Sequence, residues 1–253
     1  MAKVSQVPDG FTPVPSPVQR LDTLIRRAVT DQPLLGQTSG TALSMLVGLE
    51  PTGERRHWSR AYVEITNLLE EARQQAASTI EGFDDSPHAR TFDEILKVFQ
   101  SVSLDNGWSG YASQLNHLGN IALPFVVHAT DGFDPPPVIR TDLLSELRRD
   151  LDGLLQKVLE SSFPPTFKEE FARNVTLLRD AIIRFHVHGP EGVGRAVVQV
   201  IGHVALNEAP AKADKAALKA TLDIISKIQE VFLKSVQIGK IGAAVLKLLG
   251  PGS

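Results

Sequence analysis

Apolar side chains recur three or four positions apart along almost all of this chain, the period of a helix that buries one face. Ser16-Pro17 reads as a helix start, because serine caps well and proline at the next position loses no needed N–H. Leu21, Leu24, Ile25, Ala28 and Val29 follow at helical spacing. A short helix with Leu43, Leu46 and Val47 is ended by Pro51 and Gly53. Trp58, Ala61, Tyr62, Ile65, Leu68, Leu69, Ala72 and Ala76 make a long stripe, broken by Gly82 and Pro87. Either Ser86-Pro87 or a capping box at Thr91-Phe92-Asp93-Glu94 opens the next helix, with Phe92, Ile95, Leu96, Phe99 and Val102 inward. After the Asn106-Gly107 turn comes a stripe of Tyr111, Leu115, Leu118, Ile121, Ala122 and Phe125. Pro124 lies inside it, and a kink or break is expected there.

Beyond Asp131–Asp134 and the three prolines 135–137, the pattern becomes more regular. Leu144, Leu147, Leu151, Leu154 and Val158 form one stripe, widened by Leu143, Leu155 and Leu159. Pro164-Pro165 stops it, and a capping box at Thr166-Phe167-Lys168-Glu169 is expected to begin a helix carrying Phe167, Phe171, Val175, Leu178, Ile182 and Phe185. The short connector makes an antiparallel αα-hairpin over 142–187. Gly189-Pro190-Glu191 resets the chain, and Val193, Ala196, Val197, Val200, Ile201 and Val204 favour helix by period although valine favours strand by propensity. A last segment follows a loop near 207–212 and holds Leu218, Leu222, Ile225, Ile228, Phe232 and Val236. The expected fold is all-α, about eight helices in one bundle or two stacked halves. The expected boundaries are an extended tail 1–15, a helical half 16–130, a Pro-rich linker 131–140 and a helical half 141–253, or one continuous domain.

Composition narrows the chemistry. A hydrophobic share of 42% in 253 residues supports a real core. The net charge of −3 gives no overall electrostatic footprint for nucleic acid. With no cysteine, disulfides, thiolate metal sites and cysteine nucleophiles are excluded, which fits the cytoplasm. The first twenty residues do not read as a secretory signal, since Lys3 is the sole early cation and Pro8, Pro13, Pro15 and Pro17 interrupt any apolar run. Gly36-Gln37-Thr38-Ser39-Gly40 lacks the Gly-Lys-Ser/Thr of a phosphate loop, and Gly107-Trp108-Ser109-Gly110 lacks the spacing of a nucleophile elbow.

The runs LLSELRRDLDGLLQKVLESS, FKEEFARNVTLLRDAIIRFHVHG and PEGVGRAVVQVIGHVAL, between Asp142 and Leu206, resemble a pattern in uncharacterised bacterial all-helical proteins. That resemblance implies an accessory component of a conflict or phage-defence system and carries no catalytic residue across. Separately, Arg179-Asp180-Ala181-Ile182-Ile183-Arg184-Phe185-His186 resembles the ribonuclease motif of the HEPN superfamily. The resemblance implies an arginine that holds a phosphate and a histidine that moves a proton. Seven positions apart on a helix, Arg179 and His186 share a face, which reads more simply as an ion-pair position at the edge of a packing surface.

His186-x-His188 is a candidate chelate, with His203 or Glu191 to complete a set; three or four convergent ligands are needed and two are visible. His128 with Asp131–Asp134 reads as a turn-rich linker. No cofactor is implied. From Val231 to Leu249 there are three lysines, Lys234, Lys240 and Lys247, and no acid, with Ile241, Val245, Leu246, Leu248 and Leu249 on one side. Such a segment docks on the core or lies in a membrane surface. Lys240 at its centre opposes spanning, and docking is the expectation. The function expected is non-enzymatic: a helical interaction or accessory protein with a protein partner. The alternatives are a membrane-active effector through 231–249 and a HEPN-like ribonuclease through Arg179 and His186. Oligomeric state is not readable from the sequence.

Overall fold

The computed structural model describes residues 11–51, 55–131 and 138–232. They are helical almost throughout, and the fold is all-α. The exception is a short antiparallel ribbon, β1 (Phe11–Pro13) against β2 (Val138–Arg140), with Phe11 opposite Arg140. The chain divides into two compact units. The described residues of Pro15–Pro136 form one; those of Met1–Val14 and Pro137–Ser253, including the ribbon, form the other.

The first unit opens with α1 (Pro17–Thr30), held by a capping box in which Ser16 and Gln19 satisfy each other's backbone N–H groups. Then come α2 (Gln32–Leu35), α3 (Ser39–Leu46) and the long α4 (Arg55–Thr79). Ser86 rather than Thr91 caps α5 (Pro87–Gln100): Ser86 Oγ accepts from Ala89 N at 3.3 Å, while Thr91 sits mid-helix and donates to the Pro87 carbonyl. α6 (Trp108–His117), a π-helical turn (Leu118–Ala122) and α7 (Leu123–Thr130) complete the unit. α1 is its hub, packing on α4, α6 and α7. Gly119 meets α1 closely, and a Cβ there would stand 2.8 Å from Ile25 Cγ2.

Polar ties cross this unit's core. Trp108 is fully buried, and its indole N–H donates to the Ala28 carbonyl at 2.8 Å. Arg20, also fully buried, pairs with Glu71 of α4 at 3.2 Å. The loops before α3 and α6 are zipped together: Ser39 donates to the Asn106 carbonyl through both N–H (2.8 Å) and Oγ (2.9 Å), and Trp108 N–H donates to the Gln37 carbonyl at 2.9 Å.

The second unit is built from α8 (Thr141–Glu160), α9 (Pro165–Ile183), α10 (Phe185–Leu206), the single turn α11 (Glu208–Ala211) and α12 (Lys215–Phe232). α8 and α9 are the antiparallel hairpin, and α9 also packs on α10. The capping box expected at Thr166 is not used: the helix begins two residues earlier, at Pro165, with Pro164 in the cap position and no side-chain cap. Lys168 Nζ instead donates to the Ser161 carbonyl (2.6 Å) and the Leu159 carbonyl (3.3 Å), serving the open end of α8. Leu147, Leu151, Leu178 and Ile182 lie together in one core, with Phe163, Phe167 and Phe171 in mutual ring contact.

Two polar anchors hold α12. Asp214 Oδ1 accepts from Ala217 N–H, and its Oδ2 accepts from Ser162 N–H, both at 3.0 Å. These N–H bonds favour the carboxylate and lower its pKa below the ordinary aspartate value, the Ala217 bond most. Lys227 Nζ donates to Asp150 Oδ2 and Glu146 Oε1, each at 2.7 Å, tying α12 to α8. These two bonds raise its pKa above the ordinary lysine value, Asp150 contributing first.

Candidate functional site

The α9–α10 junction holds the residues singled out for ribonuclease or metal chemistry. Arg179 is on α9, and its Nε donates to Asp152 Oδ1 of α8, closing an ion pair across the hairpin. α9 ends at Ile183, and Arg184 leaves helical geometry at φ −101°, ψ 33°. The helical register expected to put Arg179 and His186 on one face is therefore not continuous. His186 is exposed and His188 half-buried, and the backbone breaks again at Gly189. Its φ of 58° and ψ of −172° suit glycine alone. Between these breaks Arg184 is buried and lies 3.8 Å from Asp180.

His203 cannot join His186 and His188. It lies thirteen residues beyond Pro190, which follows the break, about 20 Å along the helix. It stacks on Phe167 at a centroid distance of 4.8 Å, with Nδ1 3.8 Å from Glu170. Among the described residues no group of three or more His, Asp or Glu side chains is arranged to hold a metal ion. No described helix is long and apolar enough to cross a membrane. Lys234, Lys240, Lys247 and Leu248 lie outside the described residues.

The feature that sequence periodicity missed is in the first unit, around Pro124. A proline in an α-helix deletes one N–H and crowds the carbonyl four residues back. Here the helix widens instead of breaking: Leu123 N–H reaches the Leu118 carbonyl, five residues back, across the turn Leu118–Ala122. A π turn inserts one residue into the helical register. The inward set is Tyr111, Ala112, Leu115, Leu118 and Gly119 before it, but Leu123, Val126 and Thr130 after it. Ile121 and Phe125, expected to be core, are thus turned outward, 50% and 64% exposed. Four apart, they are neighbours on one face. Asn116, His117, Asn120 and His128 are exposed on the same α6–α7 rod.

Compared with known protein families, curated proteins and solved structures, the chain matches none. Its own geometry is what remains to be interpreted. From Trp108 to Thr130 it carries no Asp, Glu, Lys or Arg, although 22% of the whole chain is charged. A buried helix can dispense with charge, but this one keeps an outer face. That face presents one aromatic, one branched aliphatic and several amide and imidazole side chains; an exposed aromatic without Asp, Glu, Lys or Arg around it is characteristic of the centre of protein interfaces. The sequence signal was Pro124 together with the five-residue step from Leu118 to Leu123, which replaces the expected step of four.

Proposed function

We propose that this protein is a non-enzymatic helical interaction protein whose partner is another protein, docked on the outward face of the π-turn segment. The observation that carries this reading is the exposure of Phe125 and Ile121 on a helical segment without Asp, Glu, Lys or Arg. An aromatic anchor with an aliphatic neighbour and an uncharged polar border fits an apolar pocket in a partner. The register shift supports it further. A π turn costs regular hydrogen bonding, and such turns occur frequently at functional sites. The resemblance of 142–206 to bacterial conflict and defence accessories supplies the setting proposed here, an accessory role beside other components of such a system.

A photo-crosslinking residue at position 125, expressed in the native host, tests the reading. The expected result is one dominant crosslinked protein, absent when Ile121 is also changed to Ser. Labelling only by bulk protein, unchanged by Ile121→Ser, would overturn it.

A further inference from the structure

The outward face of the π-turn segment carries one kind of group that titrates near neutral pH. Asp105 and Asp131 are the acids nearest to it along the chain, and the 25 residues between them hold no Asp, Glu, Lys or Arg. They do hold His117 and His128. His117, Ile121, Phe125 and His128 follow one another at steps of four, four and three, and all four are exposed. Side chains at such steps are neighbours on a helix. The apolar pair therefore has an imidazole at either end. Histidine is the side chain whose charge ordinarily changes between about pH 5 and 8. The face is thus neutral or positive, and never negative.

Nothing in the first unit is arranged to meet that charge. The α6–α7 rod packs on α1, α2, α4 and α5. On these elements Arg26 pairs with Asp22, Arg27 with Asp31 and Arg73 with Asp93. Asp131 lies beyond the end of α7 and accepts from Gln19 Nε2 at 2.9 Å. Among the described residues neither His117 nor His128 has a hydrogen bond or an ion pair, so Glu70 of α4 and Arg90, Glu94 and Lys97 of α5 reach neither.

We infer that the protein docked on this face has a pocket that is apolar at its centre and bears Asp or Glu at its rim, opposite His117 and His128, so that docking tightens as pH falls through the histidine range. The inference rests on the docking reading proposed above and adds the partner's charge and its pH dependence. Charge complementarity carries it. A carboxylate on this face would pair with the imidazoles within one molecule, and for 25 residues there is none. The imidazoles are left for acids across the interface. Against an uncharged rim an imidazolium would lose water without compensation, and a basic rim would repel it. Pairs at a rim stay partly wetted, so each histidine is expected to change affinity about two- to fivefold, with the gain weakened by salt.

The test is the full-length chain with a photo-crosslinking residue in place of Phe125, irradiated in native-host lysate at about pH 8 and about pH 6, which span most of the histidine range. The yield of the dominant product is expected to rise severalfold at the lower pH. Mass spectrometry of the crosslinked peptide is expected to place residue 125 against a partner segment with Asp or Glu close to apolar residues. Both histidines are exposed, so substituting them should leave the circular dichroism spectrum unchanged. His117→Gln with His128→Gln should make the yield the same at both pH values. His117→Lys with His128→Lys should hold it at the higher level at both. A parent chain whose yield is flat or falls in acid, or a rise that survives the double glutamine change, overturns the acidic rim and leaves the docking face standing. The absence of any dominant product at either pH overturns the docking face and this inference with it.

Discussion

The two units use the same kind of helix and are held together differently. In the second, the core from Leu147 to Phe232 is mainly apolar: one buried cation, Arg184, stands beside Asp180, and other ionic contacts such as Lys227 with Glu146 and Asp150 sit at the edge. In the first, polar groups pass through the interior: the fully buried Arg20, the Trp108 indole bonded to the Ala28 carbonyl, and the Ser39–Asn106 zip. Removing a side chain from an apolar core costs the lost burial plus whatever cavity partial collapse leaves. Removing one partner of a buried polar tie instead leaves the other desolvated and unmatched. The first unit therefore gains a fixed geometry at the cost of sensitivity, and that fixed geometry frames the π turn.

This contrast is breakable by mutation. The largest effect is expected at Trp108: Trp108→Ala should lose about 3–5 kcal/mol, since it removes a fully buried ring and orphans the Ala28 carbonyl. Arg20→Met should cost about 3 kcal/mol, because Glu71 is left largely buried without its cation. Leu151→Ala in the apolar core should cost about 2–5 kcal/mol, and a second large-to-small change nearby should be partly absorbed by the same cavity. If urea melts showed Arg20→Met to be harmless, the polar tie would be dispensable and the two units would not differ in kind.

Smaller effects are expected at the edge of the second unit. Lys227→Ala should cost about 1 kcal/mol, as its two ion pairs are partly exposed. The folded-state pKa of Lys227 lies above its unfolded value, so its contribution is complete below the ordinary lysine range and fades as pH rises through the folded value. Wild type and Lys227→Ala should therefore converge in melting temperature at strongly alkaline pH. Asp214 has the opposite sign. Its folded pKa lies below the unfolded one, so its contribution is present above the ordinary aspartate value and disappears as pH falls through the folded value. Asp214→Ala should lower the melting temperature at neutral pH, and the difference should close in acid.

The sequence was most readable where one rule governed. The stripes through Leu147, Leu151, Leu178 and Ile182 placed those residues in a shared core because nothing interrupts the 3.6-residue period there. Ser16-Pro17 marked a helix start for the same local reason. Around Pro124 two rules competed. Periodicity put Ile121 and Phe125 inside and proline chemistry demanded a break; the chain did neither, adding a residue to one turn that carries the helix on and turns both side chains outward. Arg20 was illegible because its partner, Glu71, lies on another helix 51 positions away. Gly36–Gly40 and Gly107–Gly110 were recognisable only as failed motifs, whereas in the fold they flank a backbone zip whose partners are further apart still in sequence, 67 positions for Ser39 and Asn106. Arg179 and His186 show the converse, a spacing that is exact in sequence and interrupted in the chain by the end of α9.

The central claim is that the π turn presents Ile121 and Phe125 to a partner rather than to the protein's own core. Its most direct test is one doubly substituted protein, Ile121→Ser with Phe125→Ser, measured two ways: thermal melting of the purified chain, and retention of the protein crosslinked at that face. The account predicts a melting temperature close to wild type, since exposed positions contribute within about 0.5 kcal/mol, together with loss of the partner. A steep fall in melting temperature, or a partner retained at wild-type levels, would contradict it.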